Sequence, residues 1–344
     1  MAKRVSWIDV AKFIGIFCIV LGHLGTSAGH AYQFVFMFHI ALFFFLAGCT
    51  DSFDNRNIKE YLINKILKLF IPFLFFGIIF IIVSMIRSNA GIPTLWPKLI
   101  DLSKGLLKST GYGGLWFISC LFCMSIFFKL LKTLVKNKYI VLIICGIISF
   151  VSFIFFKKHI FWNIDLALEY MFVYCLGFVF FDKINKLFNK RFKTKGKIIY
   201  FLVYIILCCF AVMCFYNFKT LSHMFEFNKY VNIIFVNYLR PILLILFVII
   251  TSRFFEKSNS ICAIGKSTLF ICCSENIAKL FLVDSMRIIG VDINISNNYL
   301  GAYIYSLIII IFIYKILYPY ELFLLNKIYE LLGLNKNHKL FKKV

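Results

Sequence analysis

Two histidines lie within sequence apolar enough for a membrane interior. His23 ends the run that starts Trp7-Ile-Asp-Val-Ala-Lys, and His39 opens Phe38-His39-Ile-Ala-Leu-Phe-Phe-Phe-Leu-Ala-Gly48. An ionisable side chain at such depth costs roughly 2.5–3.5 kcal/mol on insertion scales, so its presence there calls for a role. Lys12 precedes His23 by eleven residues. At about 100° per residue that is three turns plus about 20°, so both project from one helix face. With Ile8 at the cytoplasmic boundary, Lys12 is about 6 Å deep and His23 about 22 Å deep. A base above a cation on one stripe suits chemistry on a charged substrate that reaches across the membrane.

Other polar residues fall into two groups by depth. Toward the cytoplasm, Lys65 and Lys68 share a face at i, i+3 in Lys65-Ile-Leu-Lys68-Leu-Phe-Ile-Pro72. Ammonium groups so placed suit phosphate oxygens, although lysines at the cytoplasmic end of a span also serve orientation. The outer half holds His39, Asp165, Glu169, Glu275 and Lys279, with Arg240 nearer the middle. Each has a plain structural alternative. Lys12 can pair with Asp9, Glu275 with Lys279 at i, i+4, Asp165 and Glu169 with cations on neighbouring spans, and both histidines can make interhelical hydrogen bonds.

The elements that must position these residues are membrane helices. The chain has 344 residues, 62% of them hydrophobic, with 44 Phe. Apolar runs near 20 residues recur along its whole length, which predicts an all-α polytopic membrane protein with about ten spans. They fall at roughly 8–25, 34–50, 69–86, 115–134, 139–156, 160–181, 198–217, 232–252, 261–282 and 299–318. The first reads as an uncleaved span, because Asp9 and Lys12 interrupt what would be a signal-peptide core. Placing both termini in the cytoplasm puts about 26 of the 38 Lys and Arg on that side and about nine outside. The formal charge of +23 is therefore an orientation signal rather than a nucleic-acid face. Membrane lipids are expected partners; nucleic acid is not.

Residues 1–318 read as one membrane-embedded domain. Residues 319–344 read as an amphipathic, basic tail on the cytoplasmic surface. The longest outer loop, Arg87–Gly114, leads into Gly114-Leu-Trp116-Phe117. It suits a re-entrant turn, a sugar platform at Trp116, or a flexible loop with an aromatic anchor. Twelve cysteines are spread through apolar stretches and read as free thiols, and Cys120-x-x-Cys123 lacks the partner ligands of a metal site.

The first two spans resemble the acyltransferase type 3 family of bacterial membrane O-acyltransferases, especially its fucose 4-O-acetylase-like branch. The resemblance rests on Asp9-x-x-Lys12-x10-His23 with Leu21-Gly22, then Phe38-His39-x-x-Leu42-Phe-Phe-Phe-Leu-Ala-Gly48. Weaker matches follow in family order at Lys65-x-x-Lys68-x-x-x-Pro72, Gly114-Leu-Trp116-Phe117, Tyr174-x-x-Gly177 and Ile264-Gly265-Lys-Ser-Thr268-Leu. This resemblance implies a bacterial plasma membrane location. It also implies transfer of an acyl group, usually acetyl from acetyl-CoA, to a hydroxyl of an extracytoplasmic or lipid-linked cell-surface glycan.

The family's functional positions map onto Lys12, His23, Lys65 and Lys68. Many members have Arg at the three lysine positions, and a lysine lacks that bidentate fork. Where the family often has His on the ninth span, this chain has Glu275. On this reading Lys12, Lys65 and Lys68 hold the coenzyme phosphates, with no metal. His23 acts as general base or transient acyl carrier, and Glu275 orients it. His39, Trp116, Asp165 and Glu169 bind the acceptor, and Arg240 or Lys279 stabilises the oxyanion. The competing class is a transporter or flippase for a lipid-linked glycan, or a polysaccharide-export component, in which buried charges form a pathway and catalyse nothing.

Overall fold

The computed structural model describes residues 5–88, 91–105, 114–156, 158–189, 194–217, 228–288 and 299–334, and no strand occurs among them. The helices are α1 (Ser6–Gly22), α2 (His30–Asp51), α3 (Ile58–Arg87), α4 (Leu95–Lys104), α5 (Leu115–Leu134), α6 (Lys138–Phe155) and α7 (Ile164–Glu169). They continue with α8 (Met171–Asn189), α9 (Thr194–Tyr216), α10 (Lys229–Phe254), α11 (Asn259–Lys266), α12 (Thr268–Ile288) and α13 (Tyr299–Leu331). Seven of them are long and apolar enough to cross a membrane, and nine spans result if the bent pairs α7–α8 and α11–α12 each count as one. The protein is an all-α, polytopic membrane protein. The remaining expected span is α1, which is 17 residues long and stops at Gly22 rather than near residue 25.

Apolar apart from Asp9 and Lys12, α1 sits in the centre, packed by α2, α10, α11, α12 and α13. By contrast only 17% of the apolar window of α9 is buried, and Ile199, Phe201, Ile206 and Val212 face outward. The two helices have similar hydropathy and opposite places in the bundle, because lipid and core are equally apolar surroundings. Small residues make the tightest contacts in the bundle. Gly48 of α2 and Gly177 of α8 meet so closely that a Cβ on either would lie within 2.0 Å of a carbonyl oxygen on the other helix. Gly265 brings α11 equally close to α1 at the Asp9 carbonyl, where a Cβ would stand 1.9 Å away.

Three helices widen into a π-turn, at Ile66–Phe70, Phe235–Leu239 and Ile313–Leu317, and each turn ends two residues before Pro72, Pro241 or Pro319. A proline lacks the N–H and crowds the carbonyl four residues back, and a wider turn relieves that clash. In the first turn Ile71 donates to Ile66 rather than to Leu67. The Leu67 carbonyl accepts the Tyr329 hydroxyl instead, at 2.5 Å.

The outer segment 87–114 holds a structured element. Along α3, α4 descends: Lys98 donates to Ser84 Oγ at 2.7 Å, and Leu102 fills the space over Gly77. Gly105, at φ +59°, ends α4, and its carbonyl accepts Ser119 Oγ and Asn163 Nδ2. The glycine turn expected just before Trp116 falls on residues 106–113, which lie outside the described residues. The stretch read as a tail from 319 begins as the last part of α13. Its Glu321 and Leu325 are buried, and Phe323 and Leu324 are exposed; residues 335–344 are not among those described.

Candidate active site

At the C-terminal cap of α1, the backbone N–H of His23 donates to Ile19 O at 3.0 Å. Just beyond, the chain turns through Gly25–Ala28, with φ +62° at Gly25. This placement corrects the expectation of a histidine buried within a longer helix, because 32% of the His23 side chain is accessible. A base at a helix end can meet a substrate that a base in mid-helix could not.

Its Nδ1 lies 2.7 Å from Oε2 of Glu275, which is 1% exposed. A carboxylate only accepts, so Nδ1 donates to it, and in the neutral imidazole Nε2 is the nitrogen with the lone pair. The second Glu275 oxygen accepts the Lys279 ammonium. The two readings of Glu275, partner of Lys279 and orienting group for His23, therefore describe one carboxylate bridging both. The 75° bend between α11 and α12 makes this possible. Gly265 lets α11 cross closely at Asp9, and after the bend α12 packs along α1 until Glu275 reaches His23.

Below this pair lies a cavity of about 370 Å³. Lys12, Lys65 and Lys68 line it together with Arg56, Asp51 and Asp54, and Ile19, Phe43, Phe117 and Cys272 are among its other lining residues. Ile19 is one turn, about 6 Å, short of His23, and Cys272 is three residues from Glu275. The three expected lysines are thus brought to one cavity whose far end approaches the His23–Glu275 pair.

Arg56, Asp51 and Asp54 were not expected there. They lie at the ends of spans, where charges are ordinary, so composition gave no reason to single them out. Lys65 donates to Asp51 Oδ1 at 2.9 Å, and the other Asp51 oxygen accepts the hydroxyls of Tyr61 and Tyr174. Arg56 grips Asp54 with Nε at 2.8 Å and Nη2 at 2.6 Å. Burial alone would raise the Asp54 carboxyl, but these hydrogen bonds and the guanidinium charge hold it below the usual carboxylate range.

None of the residues expected to bind the acceptor lines this cavity. His39 is buried, donates from Nδ1 to Val35 O at 2.7 Å, packs edge-on against Phe36, and lies within electrostatic range of His23 and Glu275. Trp116 is half-buried beside Phe117, and its carbonyl accepts Asn163 Nδ2 and Ser119 Oγ. Asp165 is paired with His159 Nδ1 at 2.7 Å and the Ile160 N–H, and with no cation on another span among the described residues. Glu169 lies one turn further, half-buried. Arg240 is buried at the α10 π-turn, with Cys214 of α9 among its electrostatic neighbours, and does not line the cavity. Lys279 is paired with Glu275, next to His23, and does not line the cavity.

A family model described as an acyltransferase domain matches residues 5–334. No curated protein and no solved structure matches the chain. Nearly the whole chain is covered by that match, in a helical bundle that brings Lys12, Lys65 and Lys68 to one cavity. The chain belongs to the acyltransferase type 3 family and is a multi-pass membrane acyltransferase.

Proposed function

We propose that this enzyme moves an acetyl group from acetyl-CoA, bound from the cytoplasm, to a hydroxyl of an extracytoplasmic or lipid-linked glycan at the surface of a bacterial cell. The observation that carries this reading is the cavity itself. Its cationic end suits the coenzyme phosphates at Lys12, Lys65 and Lys68, and its far end stops one turn from His23. An extended pantetheine arm, roughly 20 Å long, covers the rise of about 16 Å from Lys12 to His23.

The acceptor hydroxyl approaches His23 at the accessible end of α1. His23 Nε2 takes the hydroxyl proton as the oxygen attacks the thioester carbonyl. The new C–O bond forms, the C–S bond breaks, and the proton held by His23 returns to the coenzyme thiolate. Through Nδ1, Glu275 holds the ring in the required tautomer and balances the imidazolium charge. The two faces of the reaction then lie on opposite sides of one dyad.

Mass spectrometry of surface glycans tests the proposal. Cells with the wild-type chain should carry an ester increment of acetyl size that disappears with His23→Ala, while the variant protein still inserts. An unchanged glycan mass in both would remove the glycan as acceptor, and a succinyl-sized increment would replace the donor.

A further inference from the structure

A second cavity, of about 380 Å³, opens at the Lys- and Arg-rich end of the bundle and shares no lining residue with the first. Its walls come from the first turn of α1, the last turns of α8, and the link after α10. Trp7, Asn185, Asn189, Arg253, Glu256 and Lys257 supply the groups that matter. Trp7 is 2% exposed and packs between the rings of Phe181 and Phe188, yet its indole N–H has no acceptor among the described residues. A buried tryptophan normally finds one. Arg253 is fixed by Glu256 and by the Phe188 carbonyl, to which Nη2 donates at 2.8 Å, and it stacks over the Phe188 ring. Lys257 is exposed at the rim. The wall thus offers two cations, one carboxylate already engaged by Arg253, two carboxamides and an unused indole donor.

Hydrophobic side chains adjoin these polar ones. Phe254 and Phe255 follow Arg253 directly, Leu187 lies between Asn185 and Asn189, and all three are exposed. A soluble ligand has no use for such a border, whereas a lipid places its headgroup among the donors and its chains along the rings. Basic pockets between transmembrane helices at the cytoplasmic side recognise anionic headgroups in this way.

We propose that this cavity binds the phosphate-bearing headgroup of an anionic membrane lipid, distinct from the acyl donor and its cavity. The bound lipid braces Trp7 at the base of α1, the helix that carries Lys12 and His23 further along.

The test uses the full chain in neutral detergent, titrated with phosphatidylglycerol or phosphatidylcholine and read by native mass spectrometry and thermal unfolding. Phosphatidylglycerol should bind more tightly and raise the unfolding midpoint. Lys257→Gln should weaken that preference about fivefold, the share of one basic side chain near a lipid surface. Trp7→Phe, which keeps a ring and removes the donor, should also weaken it. Because Lys257 is exposed, its variant remains informative if the Trp7 variant folds poorly. Equal affinity for the two lipids, or an unaltered preference in Lys257→Gln, overturns the proposal. A full stabilising effect from inorganic phosphate alone assigns the cavity to a soluble phosphate ligand and overturns the lipid assignment.

Discussion

Glu275 serves two partners with its two oxygens, and the consequences of losing each partner differ. Glu275→Gln keeps the shape but removes the charge that opposes an imidazolium at His23, so turnover should fall by roughly 10²–10⁴ with little loss of folded protein. Lys279→Ala leaves one buried carboxylate oxygen without its donor. It should cost about 1–3 kcal/mol in stability and reduce turnover less than Glu275→Gln does. Thermal unfolding in detergent and single-turnover acyl transfer separate the two, and equal losses of turnover would mean that both residues act only through folding. Sequence placed Glu275 within reach of both partners, because Lys279 is four residues on and the ninth span puts Glu275, like His23, in the outer half. It could not show that one carboxylate meets both, since His23 and Glu275 are 252 residues apart and join only through the bend before α12. His159 escaped notice for a related reason: its partner Asp165 looked like an intramembrane acid, while the turn between them is set by backbone at Trp162 and Asn163 with φ above +50°.

Helix positions followed from hydropathy almost everywhere, while helix ends and joints did not. Hydropathy runs on past Gly22, but the glycine turn that follows α1 stops the helix. α4 is too short, at ten residues, and too broken by Pro97 for periodicity to reveal it. The motif glycines were visible as letters, and only the packed helices show that they are contact points. Gly177→Ala should force α8 away from the Phe45 carbonyl and cost at least the 1–3 kcal/mol typical of overpacking. Gly146→Ala meets only the Phe172 ring at 3.4 Å, so it should be tolerated and gain helix propensity; thermal unfolding of the pair makes the comparison. The π-turn before Pro72 gives a second prediction. Tyr329→Phe deprives the Leu67 carbonyl of its donor beside Lys68 and should destabilise by about 1–2 kcal/mol. Unchanged stability would mean that water replaces the hydroxyl.

Across the whole molecule the charges are sorted by end, and the proposed reaction inherits that polarity. In sealed vesicles of uniform orientation, acyl-CoA should support transfer only when supplied at the Lys- and Arg-rich end. Replacing both Lys65 and Lys68 by Gln should raise the KM for the donor more than it lowers kcat, because the phosphates are bound equally before and during reaction. Activity from either side, or an unchanged KM, would detach the cavity from the donor. The lysine end of the cavity was the more legible one in sequence, since Lys12, Lys65 and Lys68 stand out as cations at fixed spacing; the residues expected to bind an acceptor do not line that cavity.

The contrast between α1, enclosed by five helices, and α9, mostly facing lipid, bears on how the enzyme meets membranes of different thickness. Hydrophobic mismatch is absorbed by helices that touch acyl chains, through tilt or local thinning, at fractions of a kcal/mol per Å. In this bundle the outward-facing helices, α9 and α6 among them, are the ones placed to take that adjustment. The distance between a cation near the base of α1 and a base at its far end is held by protein alone, so a thinner or thicker bilayer leaves the reach required of the acyl donor unaltered.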